Sequence, residues 1–170
     1  LTVAGIVRRP VDGSEVRYVR APAGRDLEPV VSALGTWGSR WTGRLGDEDL
    51  DPKLLMWDMH RNVDHSAIEE ARVVVEFVFT GAPRGSRRWW LVIVPGEVDV
   101  CDTDPGFEVS VTVTAGLRDL TEIWRGENDW PEALRTGAVV VEGPVGLRRS
   151  LPSWFVSPLA GANRSGEPAL

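Results

Sequence analysis

Three runs in the middle of the chain, "ARVVVEFVFTG" (71–81), "RRWWLVIV" (87–94) and "FEVSVTVT" (107–114), are dense in valine and aromatic residues. Such side chains suit a pleated, half-buried surface, so these runs must become strands. In the third run Phe107, Val109, Val111 and Val113 alternate with Glu108, Ser110, Thr112 and Thr114. That period of two predicts one face inward and one outward. In the first run Val73, Val75, Phe77 and Phe79 share a face in the same way. The middle run breaks the pattern, because Trp89 and Trp90 stand side by side within it. Neighbouring strand residues point to opposite faces, so the sheet carries a large indole on each side. Burying an indole contributes about 2–3 kcal/mol, and an indole left uncovered makes an adhesive patch. Both faces of this strand therefore need a covering element. The aromatic stretch bearing Trp37 and Trp41, or a second chain, is the expected cover for the outer one.

The segments around the strands complete an α+β pattern. Residues 5–20 read as two short strands about Asp12-Gly13, a dipeptide suited to a tight hairpin. From 24 to 42, Leu27, Val30, Val31, Leu34, Trp37 and Trp41 recur at helical spacing, with Pro29 expected to give a modest kink. "TGRLGDEDLDP" (42–52) has glycines, acids and a proline but no periodicity, and reads as a linker over 45–51. A short helix follows over 52–63, then the three strands with a further strand at "EVDVCD". Helices are predicted at 115–126, and at 129–137 between an Asp129 cap and a Gly137 stop. A strand at 138–143 and a last helix from Pro144 to Phe155 finish the pattern, and 161–170 reads as a flexible tail.

Charge and cysteine content narrow the function classes. The 170 residues carry a net charge of −6, yet the first 25 hold Arg8, Arg9, Arg17, Arg20 and Arg25 against only Asp12 and Glu15. A basic end on an acidic chain raises the question of nucleic acid at that end alone. The single cysteine, Cys101, excludes an internal disulfide and fits a cytoplasmic protein. No apolar run approaches the ~18 residues needed to cross a bilayer, so no membrane partner is expected.

Two resemblances sharpen these readings. Residues 3–41, "VAGIVRRPVDGSEVRYVRAPAGRDLEPVVSALGTWGSRW", resemble the back half of a winged-helix DNA-binding domain of the HxlR type. The resemblance implies a partial winged-helix module over 1–44, truncated at its N-terminus, since the recognition helix has no counterpart after Leu1. Its wing would place Arg8, Arg9, Arg17 and Arg20 at DNA, and Leu34, Trp37 and Trp41 at a homodimer interface. Residues 52–160 resemble the sterol carrier protein-like domain fused to some regulators of that type. The stretches that carry this likeness are "DPKLLMWDMHRNVD", "RRWWLVIVPGEVDVC" and "LRTGAVVVEGPVGLRRSLPSWF". It implies a five-stranded, mostly antiparallel sheet backed by helices, enclosing an apolar site for a lipid-like molecule. Phe77, Phe79, Trp90, Phe107, Trp124, Trp154 and Phe155 are the candidate lining, with plain core as the competing reading. The function this implies is a transcriptional regulator with a hydrophobic-ligand-sensing domain. The alternatives are a stand-alone lipid-binding carrier module without DNA binding, or a ligand-free dimerisation domain.

Catalytic chemistry finds no support in the residues. His60 and His65 lie five apart and do not share a helical face, so no metal site is expected. Cys101 has no histidine at catalytic spacing, and Asp99, Asp102, Asp104 and Glu108 lack the spacing of a calcium loop. "TGAPRGS" lacks the lysine of a phosphate loop. The expectation is a non-enzymatic protein with no cofactor.

Overall fold

The valine-rich runs become the centre of one sheet. A computed structural model describes residues 5–12, 15, 16, 18–41 and 45–157, and these divide into two compact units at the Gly43–Arg44 boundary. In the first unit β1 (Val7–Arg8) pairs with β4 (Val19–Arg20), and β2 (Val11–Asp12) with β3 (Glu15–Val16), all antiparallel. These pairs make the expected hairpin. The helix expected over 24–42 is divided into α1 (Pro22–Asp26) and α2 (Glu28–Trp41), with Leu27 between them. Pro29 is the cause: it has no N–H to donate, and in an unbroken helix its ring would press on the carbonyl of Arg25. A proline is tolerated in the first turn of a helix, so α2 restarts just before it.

The second unit holds α3 (Pro52–Arg61), β5 (Val73–Thr80), β6 (Arg88–Val94), β7 (Glu97–Cys101) and β8 (Val111–Gly116). These are followed by α4 (Leu117–Arg125), α5 (Trp130–Thr136), β9 (Val139–Glu142) and α6 (Val145–Ser150). Local capping sets several limits. The Asp51 carboxylate accepts from Lys53 N–H at the start of α3, and that of Asp129 accepts from Glu132 N–H at 2.8 Å to start α5. Gly126 and Gly137, with φ of 72° and 78°, end α4 and α5 in the left-handed conformation that favours glycine. The segment 45–51, read as linker, carries a 3₁₀ turn at Asp47–Asp49, and the Asp47 carboxylate pairs with Arg118 at 2.6 Å.

The sheet order is β7-β6-β5-β8-β9, antiparallel throughout except for the parallel pair β5 and β8. This is the five-stranded, mostly antiparallel sheet with helices that the sequence predicts. Its register settles the tryptophans: Phe77 lies opposite Trp89, and Glu76 opposite Trp90. Trp89 therefore joins Phe77 and Phe79 in the main core, under Leu55, Met56 and Met59 of α3 and Leu120 and Ile123 of α4. Trp90 looks the other way, with Val74, Val92 and Cys101, and is still only 6% exposed. The grouping of Trp90 with Phe77 and Phe79 is thus corrected, because a one-residue change of parity moves a side chain through the sheet.

Topology supplies a cover for that second face within the same unit. β7 and β8 point the same way with β6 and β5 between them, so residues 102–110 must carry the chain back across the sheet. The helices fill the face of Trp89, which leaves the crossing to the side of Trp90. Asp104 Oδ1 accepts from Gly106 N–H at 2.8 Å within this segment, and Gly106 turns at φ 76°. The crossing ends where Ser110 N–H donates to Val74 O at 2.9 Å and Val74 N–H donates to Ser110 Oγ at 3.1 Å. This use of residues 102–110 also corrects the third strand. It starts at Val111 instead of Phe107, and Phe107 is 44% exposed with the Arg72 guanidinium 4.7 Å above its ring. The alternation was real, but its first half belongs to a crossing chain.

Two substitutions separate these assignments. Phe77→Ala should cost about 3–5 kcal/mol of unfolding free energy, the usual loss for a fully buried phenylalanine. Phe107→Ala should cost under about 1 kcal/mol, as expected for a half-exposed ring whose main partner is one cation. Urea unfolding of both variants measures the difference, and equal losses would return Phe107 to the core.

Candidate ligand-binding site

The aromatic residues singled out from sequence fall into three groups. Phe77, Phe79, Trp124, Trp154 and Phe155 share the main core, whereas Trp90 belongs to the opposite face and Phe107 to the surface. Within the core group the rings of Phe77 and Phe155 meet edge-on, with centroids 6.0 Å apart. Trp124 anchors the middle of the group, its Nε1–H donating to Asp58 Oδ2 of α3 at 2.7 Å. This ties α4 to α3 through a charge-assisted bond.

At the edge of this cluster the surface opens into a groove of about 700 Å3. Its apolar walls are Ile123, Trp124, Trp130 and Phe155, and its polar rim includes Glu127, Asn128, Asp129, Glu132, Ser153 and Ser157. Such a volume suits a drug-sized or short lipid-like molecule. Each wall has its own support. The turn after α4 at Gly126 and the Asp129 cap of α5 place Trp130 at the first position of α5. There its ring stacks on Phe155 at 6.5 Å and 19°. Phe155 is held by an isolated bridge to Val63, with Asp64 N–H donating to Trp154 O at 2.8 Å and Val156 N–H to Asn62 O at 3.0 Å. The Ser157 hydroxyl donates to the Trp124 carbonyl and closes that end. Ile123 and Trp130 are the apolar wall residues absent from the candidate lining, and Trp130 is the aromatic one. The available signal was an aromatic directly after a helix cap, which a short polar helix gives no cause to bury.

The predicted helix from Pro144 to Phe155 becomes α6 and then a 3₁₀ turn, Leu151–Trp154, because Pro152 cannot continue the helical bonds. That turn sets Pro152, Ser153 and Phe155 along the groove while Trp154 is wholly buried behind them.

The other candidate residues sit elsewhere. Arg8, Arg9 and Arg20 are exposed on the hairpin, and Arg20 Nη1 donates to Glu28 Oε2 at 2.6 Å. Leu34 and Trp37 are 61% and 60% exposed on α2. Arg17, the Trp41 side chain and the tail 161–170 lie outside the described residues. His60 is on α3 and His65 in a separate 3₁₀ turn, His65–Ala67. Among the described residues no cluster of three or more histidine, cysteine or acidic side chains could hold a metal ion. No helix of the described residues is long and apolar enough to cross a membrane. On β7 the Cys101 thiol is pushed up from its ordinary value, first by burial and then by the charges of Asp99 and Asp102. A raised pKa leaves less thiolate at neutral pH, which opposes a nucleophilic role.

No protein-family profile and no curated protein matches this sequence. Among solved structures, 65% of the chain superposes on the stereoselective inverting sec-alkylsulfatase Pisa1 from Pseudomonas sp., with a TM-score of 0.50 at 18% identity. A double mutant of that enzyme gives 0.52 over the same share, also at 18% identity. The chain spans 17% of the sulfatase, so the likeness is that of one fold within a much larger enzyme. The sterol carrier protein domain 2 of Helicoverpa armigera aligns over 75% of this chain and its own whole length, with a TM-score of 0.47 at 19% identity.

Cys101 gives a direct check on the electrostatics around β7. Alkylation by iodoacetamide at pH 8 should run slower than for a free cysteine, with the rate still climbing above pH 9. A rate at pH 8 equal to that of the free amino acid would contradict the raised pKa.

Proposed function

We propose that residues 44–157 form a non-enzymatic binding module for a hydrophobic, lipid-like molecule. The observation that carries this reading is the groove of about 700 Å3 whose walls are Ile123, Trp124, Trp130 and Phe155. Apolar walls facing a polar rim suit an amphiphile, since the hydrophobic effect acts on its chain and the polar groups meet its head. The resemblance of 52–160 to sterol carrier protein-like domains supports the same class of ligand. The competing reading of the aromatics as plain core accounts for Phe77, Phe79, Trp154 and the buried Phe155, and the binding reading adds Trp130, whose half-buried ring stacks on Phe155 at the groove.

DNA regulation has weaker support. It rests on the hairpin arginines, and one of them, Arg20, already spends its charge on Glu28. Specific readout needs an element seated in a groove of the duplex, and two-residue strands with scattered arginines supply phosphate contacts at most. We therefore place the carrier reading first. A dimer built on Leu34 and Trp37 stays compatible with it.

Native mass spectrometry of the protein purified from cells, with a fluorescent fatty acid titrated into the delipidated chain, tests the reading. Saturable uptake is the expected result, and Trp130→Ala should weaken it about tenfold while leaving the melting temperature within a few degrees, since that ring is only partly buried. A clean apo mass together with no uptake would rule the module out as a lipid binder. Fluorescence anisotropy with duplex DNA at physiological salt should show affinity no tighter than the non-specific range of about 10⁻⁴–10⁻⁶ M.

A further inference from the structure

The turn from Gly126 to Trp130 forms one rim of the groove and is held by its own hydrogen bonds. Gly126 N–H donates to Ile123 O at 3.0 Å, and the N–H groups of Glu127 and Asn128 both donate to Glu122 O, at 2.9 and 3.3 Å. These bonds close the end of α4 and fix the backbone of Asn128. Its side chain is fixed as well, because Asn128 Oδ1 accepts from Asp129 N–H at 2.9 Å. A carboxamide is planar, so an engaged Oδ1 leaves Nδ2 in a settled orientation with two protons to donate.

The other polar groups along the groove are mostly engaged. Glu127 accepts from Arg125 Nε, Glu132 from Arg135 at 2.6 and 2.9 Å, and Asp129 from Glu132 N–H at 2.8 Å. Each carboxylate on the rim thus already has a protein donor. Of the side-chain donors, the Ser153 hydroxyl gives its proton to Ser150 O at 2.6 Å and that of Ser157 to Trp124 O. Trp124 Nε1–H is taken by Asp58 at 2.7 Å. Two donors of groove-lining residues find no acceptor among the described residues: the Nδ2 protons of Asn128 and Nε1–H of Trp130. They lie two positions apart on the same turn, and what each lacks is an acceptor.

Resting on the binding reading above, we propose that Asn128 is the head-group contact of the groove. The ligand is then an amphiphile whose head carries an acceptor oxygen, a carbonyl or a carboxylate, and that oxygen accepts from Asn128 Nδ2. Its apolar body lies against Trp124, Trp130 and Phe155. The amide is held before a ligand arrives, so the bond forms at little cost in side-chain ordering. An ammonium head offers only donors and satisfies neither unengaged group.

The test uses the delipidated full chain and three ten-carbon probes: 2-decanone, decanoate and decylammonium. The informative variant is Asn128→Asp, which keeps an oxygen for Asp129 N–H and changes only the NH2 into a second oxygen. On the unaltered chain, calorimetry should show 2-decanone or decanoate binding about tenfold tighter than decylammonium, the effect of one well-placed hydrogen bond. Which of the two oxygen heads leads tells a carbonyl ligand from a carboxylate one. Asn128→Asp should reverse the order, putting decylammonium first. In nitrogen–proton NMR spectra of the unaltered chain, the assigned Asn128 side-chain amide peaks should move downfield with the tighter oxygen probe and stay in place with decylammonium. Decylammonium binding tightest to the unaltered chain, or an order that Asn128→Asp leaves unchanged, would overturn the contact while the binding reading stands. Stationary amide peaks with a bound oxygen probe would overturn it even if the variant does not fold. Failure of all three probes to bind would remove the binding reading and this inference with it.

Discussion

A sheet with apolar residues on both faces of its middle strands has to be covered twice, and this requirement organises the second unit. On one side the cover is the helix layer, where α3 and α4 contribute Leu55, Met56, Met59, Leu120 and Ile123 against the inward positions of β5, β6 and β8. On the other side Val74, Trp90 and Val92 form a small separate cluster. The strand order resolves the second burden without a further helix. Because β7 and β8 are parallel and two strands apart, the connecting residues 102–110 have to traverse the sheet. One geometric necessity thus answers another.

The outer face also carries charge, which limits how apolar it becomes. Glu76 lies opposite Trp90 and is 9% exposed, yet it pairs with Arg88 at 3.0 Å and accepts from the Thr112 hydroxyl at 3.4 Å. A buried carboxylate without such partners would carry a large desolvation cost. Removing Arg88 would therefore be felt more than its own exposure suggests, since it would leave Glu76 with one weak partner. On the inner face two sets of hydrogen bonds hold elements in position. The Trp124–Asp58 bond fixes α4 on α3, and the pinning of 154–157 to 62–64 fixes the groove's far wall. The site therefore stands on packed elements and backbone bonds, with only the turn at Gly126–Asp129 left to loop geometry. Rigidity of that kind suits a groove that binds by shape and apolar contact.

Much of the fold could be read from residue types alone. The period-two runs gave β5 and the Val111–Thr114 part of β8, the Asp129 cap and Gly137 stop framed α5, and the short helix read over 52–63 became α3. What failed did so for definable reasons. Pro29 interrupts helical bonding more severely than a kink, so one long helix became two. Pro152 did the same to the last helix. The alternation beginning at Phe107 has the right period for a strand, but period says nothing about whether a partner strand lies within reach, and the crossing claims those residues first. Trp130 carried only its place after the Asp129 cap; it becomes a wall because a short turn and that cap bring it onto Phe155 from 25 residues away in sequence.

The amino-acid sequence by itself determined that Trp89 and Trp90 face opposite ways, that the chain is α+β, and which segments are strands, because side-chain alternation and backbone propensity are local properties. Which indole enters the main core was decided only in three dimensions. The connection from Thr80 to Arg88, with its 3₁₀ turn at Arg84–Ser86, sets Phe77 across from Trp89, and the bond from Trp89 Nε1–H to Ser86 O locks that register. The number of residues a loop consumes fixes parity, and parity fixes the face. Composition cannot supply that count, and so the groove and its aromatic walls exist only once the strands have paired.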